Sequence, residues 1–154
     1  MQKILFVCLG NICRSPLAEA LFKKKVIQNG LTEYFKIDSC GTSDYHIGEL
    51  PDDRTIANAK ANGLKINHRG RQFTTDDFKK FDKILVMDRS NLENVFSLST
   101  RLSERERVAL IRDYEEENSL KGTNVPDPYY GGEKGFQNVY DILERCTGKL
   151  LETL

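Results

Sequence analysis

No stretch of the chain approaches the roughly 18 consecutive apolar residues that carry a helix across a bilayer, so a helical membrane span is excluded. The first apolar run covers only residues 4–9 before Gly10, Asn11 and Arg14 break it, which is too short for a signal peptide. There is no excess of either charge: 23 Lys and Arg meet 23 Asp and Glu. That balance removes the global field that would draw the protein to nucleic acid or an anionic membrane. Histidine is scarce, and neither His46 nor His68 stands at a ligand spacing from the Cys8/Cys13 pair, so no metal site is expected. Internal repeats, low-complexity tracts and linkers are absent. What remains is one ordinary domain of 154 residues, long enough for a single core and expected as a monomer in the cytoplasm. There its four cysteines, Cys8, Cys13, Cys40 and Cys146, stay reduced. The runs Lys23-Lys24-Lys25 and Glu115-Glu116-Glu117 read as a solvated helix face and an exposed loop.

What is present alternates between two periodicities. Residues 3–9, KILFVCL, form a continuous apolar run, as in a strand buried on both faces of a parallel sheet. Ser15 and Pro16 then read as an N-cap and first helical residue, with Ala18, Leu21, Phe22 and Val26 along one stripe and Gly30 as the stop. A second strand is expected over 35–41, a short helix over 53–62, and another helix opening at Thr74 with a capping-box spacing to Asp77. The third strand is placed at 83–88, followed by a helix from a Ser90/Glu93 capping box, and the fourth strand at 108–114. A polar loop over 114–135 holds PDPYYGG, and Phe136, Val139, Tyr140, Leu143, Cys146 and Leu150 mark a final amphipathic helix. The alternation predicts an α/β fold: a single doubly wound domain over 1–154, with a four-stranded parallel sheet and helices on both faces. Ligands of such sheets bind beyond the carboxyl ends of the strands, where the strand order reverses. Cys8, Asp88 and the loop carrying Asp127 each follow a strand, and Ser39 and Cys40 end another, so all converge on that edge.

The loop from Cys8 to Arg14 reads CLGNICR. Its successive backbone N–H groups, backed by the positive end of a helix, make an anion-binding nest. Gly10 adopts positive φ freely and Asn11 tolerates it. Arg14 can grip two phosphate oxygens with its planar fork. Leu9, Gly10, Asn11, Ile12, Cys13 and Ser15 then surround a phosphate, with Cys8 on the floor. A free thiol titrates near 8.5, but beside a helix N-terminus and an arginine it falls to about 3.5–7.5, which makes it a nucleophile aimed at phosphorus. Packing alone would make Cys8 a core residue, Gly10 a turn and Arg14 a surface charge. It does not explain the order of buried strand, Gly-Asn turn, arginine, Ser-Pro and helix.

A departing alkoxide or phenoxide needs a proton from a group on the same edge. His68 is a candidate by residue type. Asp127, held stiff between Pro126 and Pro128, is the better one, and Tyr129 and Tyr130 beside it offer aromatic walls. Arg14 and the amides supply the charge stabilisation that metals supply elsewhere, so no cofactor or metal is expected.

With VCLGNICRSP at 7–16, VMDRSNL at 86–92 and DPYYG at 127–131, the sequence closely resembles the low-molecular-weight protein tyrosine phosphatases over essentially its whole length. The resemblance implies phosphotyrosine proteins as substrates, Cys8 as nucleophile, Arg14 as phosphate clamp, and Asp127 as general acid and then base. It implies that Ser15 stabilises the leaving thiolate and that Asn11 shapes the loop through Ser39 and His68. His68 thereby passes from acid candidate to a supporting role. Leu9, Tyr45, Tyr129 and Tyr130 match cleft walls, and Asp88 lies in a family motif as a residue orienting the loop. Within 44–54, Tyr45 stands where many relatives have tryptophan and Glu49 where some have a basic residue, and substrate preference rests with this loop. Cys13 has two readings: a small residue packed under the loop, or a redox partner that forms a disulfide with oxidised Cys8. The resemblance favours the second.

Three rivals share features of the loop. Thioredoxin-coupled arsenate reductases need two further cysteines after the third strand, where this chain reads KILVMDRSNLENVF with none. Protein-arginine phosphatases resemble the loop with threonine at the position of Ile12. A non-catalytic phosphate-binding module would have lost Cys8 or Asp127, and both are present.

Overall fold

The computed structural model describes the backbone of residues 1–154 and every side chain except that of Tyr130. Its first apolar run forms β1 (Gln2–Cys8), which lies inside a sheet with β2 (Phe35–Gly41), β3 (Lys83–Val86) and β4 (Val108–Leu110). The strand order is β2-β1-β3-β4 and every pairing is parallel. The chain steps from β1 outward to β2, then returns past β1 to β3. The order therefore reverses at β1, and Cys8 at its carboxyl end stands at the switch point.

Because strand side chains alternate, β1 feeds two cores. Ile4, Phe6 and Cys8 pack with Leu21 and Phe22 of α1 (Arg14–Gln28) and with Val139 and Leu143 of α6 (Gly132–Glu152). Leu5 and Val7 pack on the opposite face with Phe73, Phe78, Ile84 and Val95. Residue 95 belongs to α4 (Arg89–Leu98) and residue 78 to the short α3 (Asp77–Lys80). The helix α2 (Asp53–Ala61) lies against α6, and α5 (Leu102–Arg105) precedes β4. The Phe22 ring lies 5.8 Å from that of Phe6 and 5.5 Å from that of Phe35, joining α1 to central β1 and to edge strand β2. Among the described residues no helix is long and apolar enough to cross a membrane.

Several expected boundaries move. Helix α1 starts at Arg14 with Cys13 at its cap and no side-chain cap hydrogen bond. Ser15 is not the cap: it is fully buried, and its hydroxyl turns inward to Cys8 and to the Cys40 carbonyl, because a buried hydroxyl must find partners. The third strand ends at Val86 because Asp88 leaves the ladder to cap α4. The capping box is Asp88/Asn91, with Asp88 accepting from the Asn91 amide at 2.8 Å, and not Ser90/Glu93. Asp77 does reach back to the Thr74 amide at 2.8 Å, yet the helix there spans only Asp77–Lys80. The fourth strand stops at Leu110, where Ile111–Tyr114 winds into a 3-10 turn. Helix α6 starts at Gly132, ahead of its first apolar residue, Phe136.

The two charge runs are also less solvated than the sequence suggests. Lys23 pairs with Glu19, and Lys25 reaches Glu144 of α6 at 2.6 Å. Glu116 and Glu117 are exposed, but Glu115 is 2% exposed. The 3-10 turn aims Glu115 inward, where it accepts from Arg112 Nε at 3.0 Å and from Arg145 Nε and Nη2 at 3.1 Å each. Burial opposes ionisation of Glu115, but the hydrogen bonds from Arg145 and Arg112 outweigh it and hold the carboxyl below its ordinary 4.5. A depressed folded pKa contributes stability that is fully present above the unfolded value and is lost as pH falls through the folded one. Urea unfolding of Glu115→Gln should therefore show a deficit against the parent at neutral pH, and that deficit should shrink as pH falls below about 4.5. A deficit independent of pH would show that the carboxylate charge contributes nothing.

Candidate active site

The backbone from Cys8 to Arg14 curls over the end of β2. Thr42 N–H donates to the Cys8 carbonyl at 2.9 Å and Ser43 N–H to that of Leu9 at 3.0 Å. The approach is close enough that a Cβ on Gly41 would stand 2.6 Å from the Leu9 carbonyl oxygen, so only glycine fits there. The left-handed position in the loop is Asn11, at φ 56°, and Gly10 does not take positive φ. Gly10 serves by being small, since a Cβ there would lie 3.1 Å from the His46 ring. Cys8, 2% exposed, receives Asn11 N–H at 3.3 Å and has the Ser15 hydroxyl 3.0 Å from its sulfur.

The Asn11 side chain is fully buried and every polar atom is engaged. Its Nδ2 donates to Ser15 Oγ at 2.8 Å and to Ser39 Oγ at 3.0 Å. Its Oδ1 accepts from Arg71 N–H at 3.1 Å and faces His68 Nε2 at 2.6 Å. Behind this, Glu19 accepts from Ser39 Oγ at 2.6 Å, pairs with Lys23, and lies 3.1 Å from His68 Nδ1. Burial opposes the Glu19 charge, yet the bonds from His68, Lys23 and Ser39 outweigh it and hold its carboxyl below the ordinary value. Glu19, Asp38 and His68 are the one group among the described residues whose ligand atoms, all within 4.8 Å of one another, could hold an ion. With both His68 nitrogens and both Glu19 oxygens already bonded, the group acts as a buttress for the loop.

Arg14 is 3% exposed. Its Nη1 donates to Asp88 Oδ2 at 2.7 Å and to the Val125 carbonyl at 2.9 Å, while Nη2 lies 3.9 Å from Asp127 Oδ2. Among the described residues Nη1 carries both of the Arg14 hydrogen bonds, which leaves Nε and Nη2 without one, and Arg14 lines the cleft. Burial works against the Arg14 charge, and Cys8, Asp88 and Asp127 more than compensate, so the guanidinium is held more firmly protonated than an ordinary arginine. Asp127 has a half-exposed side chain whose Oδ1 accepts from Tyr129 N–H at 3.0 Å.

Cys8, Arg14 and Asp127 thus open into one cleft of about 290 Å³, walled by Leu9, Ile12, Tyr45 and Tyr129. Leu9, Tyr45 and Tyr129 are 40%, 71% and 42% exposed, an apolar rim around a polar floor. The side chain of Tyr130, the remaining expected wall, lies outside the described residues. Cys13 is buried against Thr55, and burial pushes its thiol up to about 12. The structure therefore gathers the expected described residues around one cleft except Asn11 and Ser15, which are fully buried and lie behind it with Ser39, His68 and Asp88. It adds His46 to the cleft wall, and Glu19, Gly41 and Arg71 as supports. Of these, Gly41 had a sequence signal, as the glycine ending a strand beside the loop. Glu19, Arg71 and His46 had none, since their roles depend on contacts across long sequence separations.

The family model described as low molecular weight phosphotyrosine protein phosphatase matches residues 3–154. The chain is 48% identical to the low molecular weight phosphotyrosine protein phosphatase of Schizosaccharomyces pombe, covering 99% of this chain and 96% of that one. It is 41% identical to the human protein of the same name, over 98% of this chain and 94% of that one. Among solved structures, a protein tyrosine phosphatase from Entamoeba histolytica superposes with TM-score 0.92 at 41% identity, covering 99% of this chain and 96% of that one. A Drosophila arginine phosphatase superposes with TM-score 0.84 at 34% identity, covering 99% and 97%. With the cysteine loop, the arginine and the aspartate loop gathered on one sheet edge, this chain belongs to the low molecular weight phosphotyrosine protein phosphatase family.

Proposed function

We propose that the protein hydrolyses phosphotyrosine in protein substrates, and aryl phosphates generally, in two displacements through a cysteinyl-phosphate. The observation that carries this reading is the position of Cys8, in one cleft with Arg14 and Asp127. The loop amides and Arg14 bind the phosphoryl oxygens, and the thiolate of Cys8 attacks phosphorus. The bond to the phenolic oxygen breaks as Asp127 protonates that oxygen. Asp127 then takes a proton from water, which attacks phosphorus and breaks the S–P bond, releasing inorganic phosphate and the thiolate. Ser15 Oγ, 3.0 Å from the sulfur, donates to the thiolate as it departs. Asp88 fixes which edge of Arg14 meets the phosphate by occupying Nη1. The rim of Leu9, Tyr45 and Tyr129 suits a flat aromatic leaving group. A thiol nucleophile suits the reducing cytoplasm.

Turnover of p-nitrophenyl phosphate should survive EDTA, because the amides and Arg14 supply the charge stabilisation. Cys8→Ser should abolish turnover while still binding phosphate, since a serine hydroxyl is barely ionised near neutral pH. Metal-dependent turnover, or a Cys8→Ser protein that still hydrolyses the ester, would overturn the site. A phosphoarginine peptide hydrolysed in preference to a phosphotyrosine peptide would move the substrate to that of the Drosophila relative.

Asp127→Ala should lower kcat by roughly 10²–10⁴, the usual worth of general acid catalysis. The defect should shrink for leaving groups of low pKa, which need little protonation. A defect of equal size across leaving groups would contradict the acid role.

For Cys13 we propose a redox role. Peroxide oxidises the Cys8 thiolate to a sulfenic acid, and the Cys13 thiol displaces water from it to form a disulfide. Burial pushes the Cys13 thiol up, which lowers its thiolate fraction and slows this second step. After a mild peroxide pulse, dithiothreitol should restore activity to the parent but far less to Cys13→Ser. Equal recovery would make Cys13 a packing residue only.

A further inference from the structure

Asp127 stands on a loop whose carboxylate is half exposed, yet general acid catalysis demands that its oxygen be held at the departing atom. A continuous series of contacts runs from the phosphate loop to that carboxylate. Asp52 N–H donates to the Ile12 carbonyl at 2.8 Å, which ties the start of α2 to the phosphate loop. The Asp52 carboxylate caps α2 through Arg54 N–H at 2.8 Å and holds the Arg54 guanidinium through Nε and Nη2, at 3.0 Å each. That bidentate grip leaves Nη1, which donates to the Tyr129 carbonyl at 2.8 Å. Tyr129 N–H in turn donates to Asp127 Oδ1 at 3.0 Å. The same guanidinium lies 5.1 Å from the Tyr129 ring centroid and 4.8 Å from that of Phe136 in the first turns of α6, both within cation–π range.

We propose that Arg54, held by Asp52, is a positioning residue that fixes the acid-bearing loop over the phosphate loop and so places Asp127 at the leaving oxygen. The inference rests on the reading of Asp127 as general acid. Arg54 does not itself line the catalytic cleft. It faces the neighbouring groove between α2 and α6, with Phe136 and Gln137, so it acts through Tyr129 and Asp127 and not on the phosphate. Arginine is required by the geometry: one planar group must grip a carboxylate with two nitrogens, reach a carbonyl with the third, and stack between two rings. Lysine can supply only one of these contacts well.

The test is kcat/KM for aryl phosphates with leaving groups from low to high pKa, in the parent, Arg54→Met, Arg54→Lys, Asp127→Ala and the double variant Arg54→Met/Asp127→Ala. Arg54→Met should lose about tenfold to a hundredfold on leaving groups of high pKa, as expected when a catalytic group is displaced by around an ångström. It should keep the parental rate on leaving groups of low pKa and the parental inhibition constant for inorganic phosphate. Arg54→Lys should recover part of the loss, and in the Asp127→Ala background Arg54→Met should cost nothing more. A loss equal across leaving groups, weaker phosphate binding, or a full additional loss in the Asp127→Ala background would overturn the proposal and make Arg54 a binding or folding residue. If Asp127→Ala alone shows no dependence on the leaving group, the acid assignment itself falls, which is a different result from failure of the clamp.

Discussion

Asn11 sits at φ 56°, a backbone conformation that costs an L-residue on the order of 1–2 kcal/mol, and the shape of the phosphate loop depends on that conformation being held. Its side chain makes it the favoured state. Two serine hydroxyls accept from its amide nitrogen, and a backbone N–H and a histidine nitrogen face its oxygen. Each such bond contributes about 0.5–1.5 kcal/mol net, and leaving a buried amide atom unpaired costs more, so four contacts outweigh the strain. The partners come from α1, β2 and the segment before α3. The loop can therefore hold its shape only if the sheet and the first helix are already in register.

The same principle governs the charges around it. Arg14 and Glu19 are nearly inaccessible, and an isolated charge in either place would cost several kcal/mol. Arg14 is paired with Asp88 and a carbonyl, and Glu19 with His68, Ser39 and Lys23. Each pairing also restricts geometry. Asp88 does two jobs at once, capping α4 with one oxygen and orienting Arg14 with the other. An arginine turned by a residue that is itself fixed at a helix terminus is preorganised, which lowers the ordering cost of the phosphate binding proposed for it.

The site is buried on its floor and more open at its rim. Cys8, Asn11, Arg14 and Ser15 are buried at the end of β1, in the loop after it and at the start of α1, whereas Leu9, Tyr45, Asp127 and Tyr129 are half to largely exposed. The proposed nucleophile Cys8 and phosphate clamp Arg14 are buried, whereas the proposed acid Asp127 stands on the exposed rim. The rim residues stand on loops that carry little of the core, the kind of segment on which recognition is commonly placed.

The sequence by itself determined the fold class, the sheet edge that carries the site, and the candidates Cys8, Arg14 and Asp127. Buried strands, glycine turns and proline-flanked loops leave signals within a few neighbouring residues, and each of these features is local. It also singled out Ser39 and His68 as partners of Asn11, though only through resemblance to a family. Tertiary structure alone decided that Ser15 faces Cys8 instead of capping α1, and that Asp88 rather than Ser90 begins α4. It likewise decided that Glu115 is buried and that Glu19, Arg71 and Arg54 support the loops. A serine, an aspartate or an arginine looks the same in sequence whether it is solvated or paired. The partners that decide between those states stand far along the chain and meet only when the parallel sheet brings its strand ends together.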